Sequence, residues 1–131
     1  MDKEEIFKYW KDTSDKDYIT MNNLFASKDY SWSLFIGHLV IEKLLKAVYI
    51  KNTEDINPPR IHDLLELAKR ANIRVSEQQE DILDLLSTFN ISARYPDYKQ
   101  SFYLKCTVDY TNQRINEIKE LRQWLISIIK K

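Results

Sequence analysis

Apolar residues recur at intervals of three and four positions along nearly the whole chain, a pattern that is typical of amphipathic helices. The first run of this pattern predicts a helix from about Lys3 to Ser27. One stripe of this helix carries Ile6, Phe7, Trp10, Ser14, Met21, Leu24 and Phe25. The polar sequence Ser27-Lys28-Asp29 then interrupts the pattern and predicts a short break.

The next segment, from about Tyr30 to Lys51, is apolar on nearly every side. A helix without a clear polar face lies at the centre of a domain, where several neighbours cover it. At about 1.5 Å per residue this helix spans roughly 30 Å, which is the width of a small domain. We therefore expect the rest of the chain to pack around it.

The remaining pattern predicts a series of shorter elements and one long closing helix. A loop over Asn52–Arg60 contains Pro58-Pro59 and leads into a short helix over about Ile61–Ala71. The capping box Ser76–Gln79 opens a further helix that ends at about Phe89. An irregular stretch over Asn90–Ser101, broken by Pro96, then precedes the closing helix, which runs from Phe102 or Thr107 to Lys130. The buried stripe of the closing helix is expected to be Val108, Ile115, Ile118, Leu121, Leu125 and Ile128.

Together these elements predict an all-α fold, an antiparallel up-and-down bundle of about five helices in one domain over residues 1–131. A single long coiled coil is excluded because Pro58, Pro59 and Pro96 cut the pattern. The tryptophans at positions 10, 32 and 124 lie on or beside apolar stripes, so we expect core or interface positions for them. Because the second helix needs so much cover, we also expect a homodimer.

Composition excludes several classes of protein. The single glycine rules out the Gly-rich loops that bind phosphate through backbone amides. Twenty basic and twenty acidic residues cancel, so nucleic-acid binding would need a local basic patch rather than a global field. Cys106 is the only cysteine, which excludes a disulfide framework and a cysteine-based zinc site. We expect no cofactor and no bound metal.

The amino terminus and the hydropathy pattern argue against a membrane or secreted protein. The segment Met1–Glu5 is too charged for a signal peptide. No apolar run is long enough to cross a bilayer. We therefore expect a cytoplasmic protein with no membrane partner.

The second helix carries an ordered polar stripe. His38, Glu42 and Lys46 follow one another at intervals of four residues, and Lys43 lies beside them. Residues four apart share one helix face. The stripe is either an ordinary solvated face or the polar wall of a cleft or dimer seam. In both cases we expect Glu42 to pair with a lysine or arginine, because a buried charge needs a partner.

Two further positions carry candidate chemistry. His62 opens the third helix, where it either caps and packs or faces a ligand. The second role is open to histidine in general because an imidazole can gain or lose a proton near neutral pH. The loop Ala93–Tyr98 places Arg94 and Tyr95 before a proline. Such an arginine either clasps backbone carbonyls or a carboxylate such as Asp17 or Glu42, or binds a phosphate while a tyrosine stacks on a base.

Four of these motifs resemble, in order, those of the HEPN family (higher eukaryote and prokaryote nucleotide-binding domain). The matches are Trp10, Ser14 and Asp17 in the first helix, Ile41–Ala47 with the pattern EK-x-LKA, His62-Asp63-Leu64 as HDL, and Ala93–Asp97 as ARYPD. The resemblance implies a five-helix up-and-down bundle that is often homodimeric. It also implies possible partners, because members are often encoded beside a minimal nucleotidyltransferase and can bind it.

The family resemblance implies two classes of activity. Some members bind nucleotides, and others are metal-independent ribonucleases, including toxins. The ribonucleases carry an arginine and, after four to six intervening residues, a histidine, which provide charge stabilisation and a general base. In this chain the corresponding positions are Lys99, Gln100 and Ser101, and no histidine follows His62. A lysine charged at neutral pH is a poor general base.

The leading hypothesis is therefore a non-catalytic, homodimeric HEPN module that binds a nucleotide or a partner protein. Its candidate ligand-binding residues are Arg94, Tyr95, His62, His38, Glu42, Lys43 and Lys46. The rival is a ribonuclease toxin paired with a nucleotidyltransferase antitoxin, with His62 or His38 recruited as the base. A third possibility is a structural adaptor without a small ligand.

Overall fold

The computed structural model describes all 131 residues and contains helices only. The six helices are α1 (Lys3–Ala26), α2 (Tyr30–Asn52), α3 (Leu64–Arg70), α4 (Glu77–Ser92), α5 (Pro96–Lys105) and α6 (Val108–Ile129). The predicted all-α bundle is thus confirmed, with one short helix more than the approximate count. No helix has the combination of length and low polarity that crossing a membrane requires.

Short polar side chains define where most of the helices begin. Asp2, Asp63 and Thr107 each accept a hydrogen bond from a backbone amide three residues later. Ser76 does the same at α4 and completes the predicted capping box, because Gln79 bonds back to the Ser76 amide. These contacts satisfy amides that the first turn of a helix leaves without partners.

Helix α2 is the central element, as its all-round apolar pattern predicted. Thirteen of its residues are buried, and it contacts each of the other five helices. Its one glycine, Gly37, faces Met21 of α1 and Ile118 of α6. A Cβ atom at this position would lie 2.6 Å from Ile118 Cδ1 and 3.1 Å from Met21 Sδ. The absence of a side chain at Gly37 therefore leaves room for the ends of the Ile118 and Met21 side chains against α2.

Two buried hydroxyls fix α1 against α2. Ser14 Oγ donates to the carbonyl oxygen of Val40 at 2.7 Å. Ser33 Oγ donates in the opposite direction, to the carbonyl oxygen of Met21 at 2.9 Å. Both serines are fully buried, so each hydrogen bond satisfies a group that water does not reach.

The segment after α4 differs from the prediction. Instead of an irregular stretch over Asn90–Ser101, α4 continues to Ser92 and α5 begins at Pro96. Proline lacks only an amide hydrogen that the first turn of a helix does not use, so it starts α5 rather than ending regular structure. Two side chains are also more exposed than expected. Val108, expected on the buried stripe of the closing helix, is 50% exposed, and Trp32, expected at a core or interface position, is 39% exposed.

Candidate functional site

The polar stripe of α2 is buried. His38, Glu42 and Lys46 are 0%, 4% and 8% exposed, which excludes the ordinary solvated face. Lys43 lies at the edge of the stripe, where its Nζ bonds Asp17 of α1 at 2.6 Å. The stripe is thus a polar wall inside the protein, and Lys43 serves the α1–α2 contact.

The two carboxylate oxygens of Glu42 have different partners, a histidine and a lysine. Its Oε1 accepts a hydrogen bond from His62 Nδ1 at 2.7 Å. Its Oε2 lies 3.5 Å from Lys46 Nζ, one helical turn along α2. His62 comes from the segment that leads into α3, and its side chain is 58% exposed. The pairing expected for Glu42 is confirmed, and the second partner is a histidine twenty residues away in the chain.

His38 has one nitrogen engaged and one free. Its Nδ1 lies 2.7 Å from the carbonyl oxygen of Phe35, so Nδ1 carries the hydrogen and donates. Its Nε2 is buried, makes no hydrogen bond and lies 3.9 Å from Glu42 Oε1. Burial lowers the pKa of His38 below its ordinary value, with the nearby His62 and Arg94 acting in the same direction. The imidazole is therefore neutral at pH 7, with its Nε2 lone pair unused.

Arg94 forms a clasp within its own chain segment. Its Nε donates to the carbonyl oxygen of Asn90 at 2.9 Å, and its Nη2 donates to the Asn90 side-chain oxygen at 2.6 Å. The guanidinium carbon also lies over the rings of Phe35 and Tyr95, at 5.3 Å and 5.6 Å from their centroids. Of the partners considered from the sequence, backbone carbonyl is the one observed, and the carboxylates of Asp17 and Glu42 are not used.

A surface groove of about 590 Å³ opens beside this clasp, and we call it the Arg94 groove. Basic and aromatic side chains dominate its walls. It is lined by Lys28, Asp29, Tyr30, Ser31, Trp32, Arg94, Pro96, Lys99, Gln100 and Tyr103. Lys99 Nζ lies 5.4 Å above the centroid of the Trp32 ring. Tyr95 is not part of the lining, although its side chain is half exposed next to Arg94.

Several residues of the Arg94 groove were not predicted as site residues. Trp32 was expected at a core or interface position rather than in a ligand site, and Lys99 was considered only as a replacement for a histidine. The available signal was the cluster of charged and aromatic residues Lys28–Trp32 at the α1–α2 break. What the sequence did not indicate is that α5 lies against this break.

Phe35 connects the Arg94 groove to the buried polar wall. Its ring lies 5.2 Å from the ring of His38 and 5.7 Å from that of Trp32, measured between centroids. Arg94 lies over the same ring. A second groove of about 510 Å³ lies further along α2, between Trp10, Lys46 and Pro58. In it, Lys46 Nζ lies 4.9 Å from the centroid of the Trp10 ring.

A profile of the HEPN domain family matches residues 7–129, which is nearly the whole chain. The chain belongs to the HEPN domain family. No curated protein and no solved structure shows a significant match to it. The matched region of this HEPN domain contains the polar wall, the Arg94 clasp and the Arg94 groove.

Proposed function

We propose that this HEPN domain is a non-catalytic binding module that holds a nucleotide in the Arg94 groove. The observation that carries the proposal is the pairing of cations with aromatic rings around one open groove. Arg94, Lys99 and Lys28 supply positive charge for phosphate. Trp32 and Tyr30 supply ring faces on which a base can stack.

The geometry of Arg94 suits this role although its clasp already uses two of its donors. An arginine has five N–H donors, and the bonds to Asn90 involve Nε and Nη2. Nη1 remains available for a phosphate oxygen. The clasp and the stacking on Phe35 fix the guanidinium plane before any ligand arrives, which reduces the entropy lost on binding.

Calorimetric titration with nucleoside triphosphates tests the proposal. We expect binding to the wild-type protein and at least a tenfold loss of affinity in Lys99→Gln. Lys119→Gln is the matched control, because Lys119 is exposed on α6 and does not line the groove. Inorganic triphosphate should bind more weakly than the nucleotide if Trp32 contributes by stacking. Equal affinities for Lys99→Gln, Lys119→Gln and wild type would refute the groove as the site.

We further propose that the domain is a homodimer that pairs through α5. The original reason, a need to cover α2, no longer applies because α2 is covered within one chain. The reason that remains, besides the family resemblance, is a set of exposed large side chains on and around α5. These are Ile91, Tyr95, Tyr98, Tyr103, Leu104 and Val108, each 49–67% exposed. Exposed apolar groups in such number on one segment favour an interaction surface there.

One observation favours the rival ribonuclease function. Glu42 fixes His62 Nδ1 at 2.7 Å while the ring remains 58% exposed, so its other nitrogen is free to take a proton. A carboxylate that orients a histidine in this way is a recurring arrangement in general-base catalysis. We nevertheless favour binding without catalysis because His62 does not follow Arg94 in the spacing of the family's ribonucleases. A minimal nucleotidyltransferase is a proposed protein partner under both functions, and under the rival function it would act as the antitoxin.

A further inference from the structure

Three potential metal ligands converge where α2 meets the segment before α3. They are His38, Glu42 and His62, and one donor atom of each lies within 4.8 Å of the others. The chain contains two histidines, and both are here. Two imidazoles and one carboxylate form a ligand set that zinc uses when it keeps one coordination position open.

His38 is oriented as a metal-binding histidine is. Its Nδ1 donates to the carbonyl oxygen of Phe35 at 2.7 Å, which fixes the ring and leaves the lone pair on Nε2. Histidine ligands commonly donate their second nitrogen to a backbone carbonyl in this manner. The Nε2 atom is fully buried and has no hydrogen-bond partner in the protein. A buried polar atom without a partner is rare, and here it points toward the other two ligands.

The distances between the ligand atoms are compatible with one ion after a small adjustment. With bonds of about 2.1 Å, tetrahedral zinc places its ligand atoms roughly 3.4 Å apart. Glu42 Oε1 lies 3.9 Å from His38 Nε2 and 2.7 Å from His62 Nδ1. His38 and Glu42 are held by α2, whereas His62 is half exposed and can shift by the ångström or so that closing the widest of the three separations, at most 4.8 Å, requires. The ion would replace the proton now shared by His62 and Glu42.

We propose that His38 Nε2, Glu42 Oε1 and His62 Nδ1 form a binding site for a zinc-type divalent cation, with the fourth position open beside His62. Two imidazoles favour zinc or cobalt over magnesium and calcium, which prefer oxygen ligands. Lys46, 3.5 Å from Glu42 Oε2, remains on the side of the carboxylate away from the ion. This proposal departs from the expectation of no bound metal, and it is independent of nucleotide binding in the Arg94 groove.

Titration of chelator-treated protein with zinc alone tests this site. We expect one zinc ion per chain, an increase in melting temperature, and shifts of both sets of imidazole signals in the NMR spectrum. Cobalt should give the visible absorption of a tetrahedral site. Because the chain has two histidines, the imidazole signals report on this site and on no other.

His62→Gln removes a ligand at a half-exposed position, so the variant is expected to fold. We expect it to bind zinc at least tenfold more weakly and to lose the zinc-dependent rise in melting temperature. Glu54→Gln is the matched control, since Glu54 is an exposed carboxylate in the preceding loop. Zinc binding that is equal in wild type, His62→Gln and Glu54→Gln would overturn the proposal. Absence of binding, or binding without imidazole shifts, would overturn it equally.

Discussion

Arg94 and Asn90 form a closed pair at the end of α4, with Nε and Nη2 of the arginine bonded to the main-chain and side-chain oxygens of the asparagine at 2.9 Å and 2.6 Å. Asn90 is buried whereas Arg94 is exposed. The pair therefore covers two polar oxygens at the point where α4 gives way to α5. It also holds the guanidinium at the wall of the Arg94 groove.

Replacing Arg94 should affect stability and binding together. Arg94→Lys keeps the charge but loses the planar fork that reaches both oxygens of Asn90. We expect the free energy of unfolding to fall by about 1 kcal/mol, because water can reach part of the exposed clasp. Urea denaturation measures this loss, and nucleotide titration of the same variant measures the loss of affinity. Unchanged unfolding and unchanged binding would show that Arg94 serves neither role.

Removing Lys46 should destabilise the protein through Glu42. In Lys46→Met the carboxylate keeps His62 as a hydrogen-bond partner but loses the positive charge of Lys46 in a buried setting. We expect a loss of about 1–3 kcal/mol in the free energy of unfolding. In Glu42→Gln/Lys46→Met neither buried charge remains. The double variant should therefore lose less free energy of unfolding than the sum of the losses in the two single variants. Strict additivity would mean that the two residues do not interact.

Cys106 should be unreactive in the folded protein. It is 5% exposed, and burial raises the pKa of its thiol to about 11. At pH 8 only about 0.1% of the thiol is then in the nucleophilic thiolate form. We expect a thiol-specific chromogenic reagent to modify the native protein at least a hundredfold more slowly than the urea-unfolded protein. The native rate should rise with pH up to the raised pKa. Equal native and unfolded rates would contradict the burial of this residue.

The proposed dimer can be tested by placing a charge on α5. Leu104 is 67% exposed, so Leu104→Glu should leave the folded chain intact while opposing an apolar interface. We expect sedimentation at micromolar concentration to give a dimer for wild type and a monomer for this variant. Ile19→Glu is the control, because Ile19 is 61% exposed on α1. A wild-type protein that sediments as a monomer would refute the proposed dimer. A Leu104→Glu variant that remains dimeric would show that the interface does not lie on α5.

Purified protein should not cleave RNA. The reason is that Arg94 has Lys99, Gln100 and Ser101 where the ribonucleases of the family carry a histidine. Incubation with total RNA and with transfer RNA provides the measurement. Cleavage that is lost in both Arg94→Ala and His62→Gln would instead establish the rival function, with His62 as the base oriented by Glu42.

The sequence determined the features that depend on residues close together in the chain. The capping box Ser76–Gln79 predicted the start of α4 because both of its bonds join residues three apart. The largely apolar pattern of α2 predicted its central position because a helix buried on every side leaves no place for a solvated polar face. Four short motifs in order predicted the HEPN family, and the profile match over residues 7–129 confirms this prediction.

Proline at position 96 shows where local pattern is ambiguous. The same residue ends one helix or begins the next, and the choice depends on whether the following turns have a surface to pack on. Here Phe102 is buried against Phe89 of α4, with ring centroids 5.1 Å apart, and this contact supports α5. Because the contact forms only when the chain folds back, the sequence alone did not separate a break from a helix start.

The buried polar wall of α2 was decided by tertiary structure for the same reason. Spacing placed His38, Glu42 and Lys46 on one face of α2, but it gave no information on what covers that face. The cover comes from Trp10 of α1, which lies against Lys46, and from His62, which is twenty residues beyond Glu42. Burial of a polar group depends on such distant neighbours, whereas helix periodicity depends on residues three and four apart. The sequence therefore identified the residues, and only the packing of remote segments turned them into a buried, interacting group.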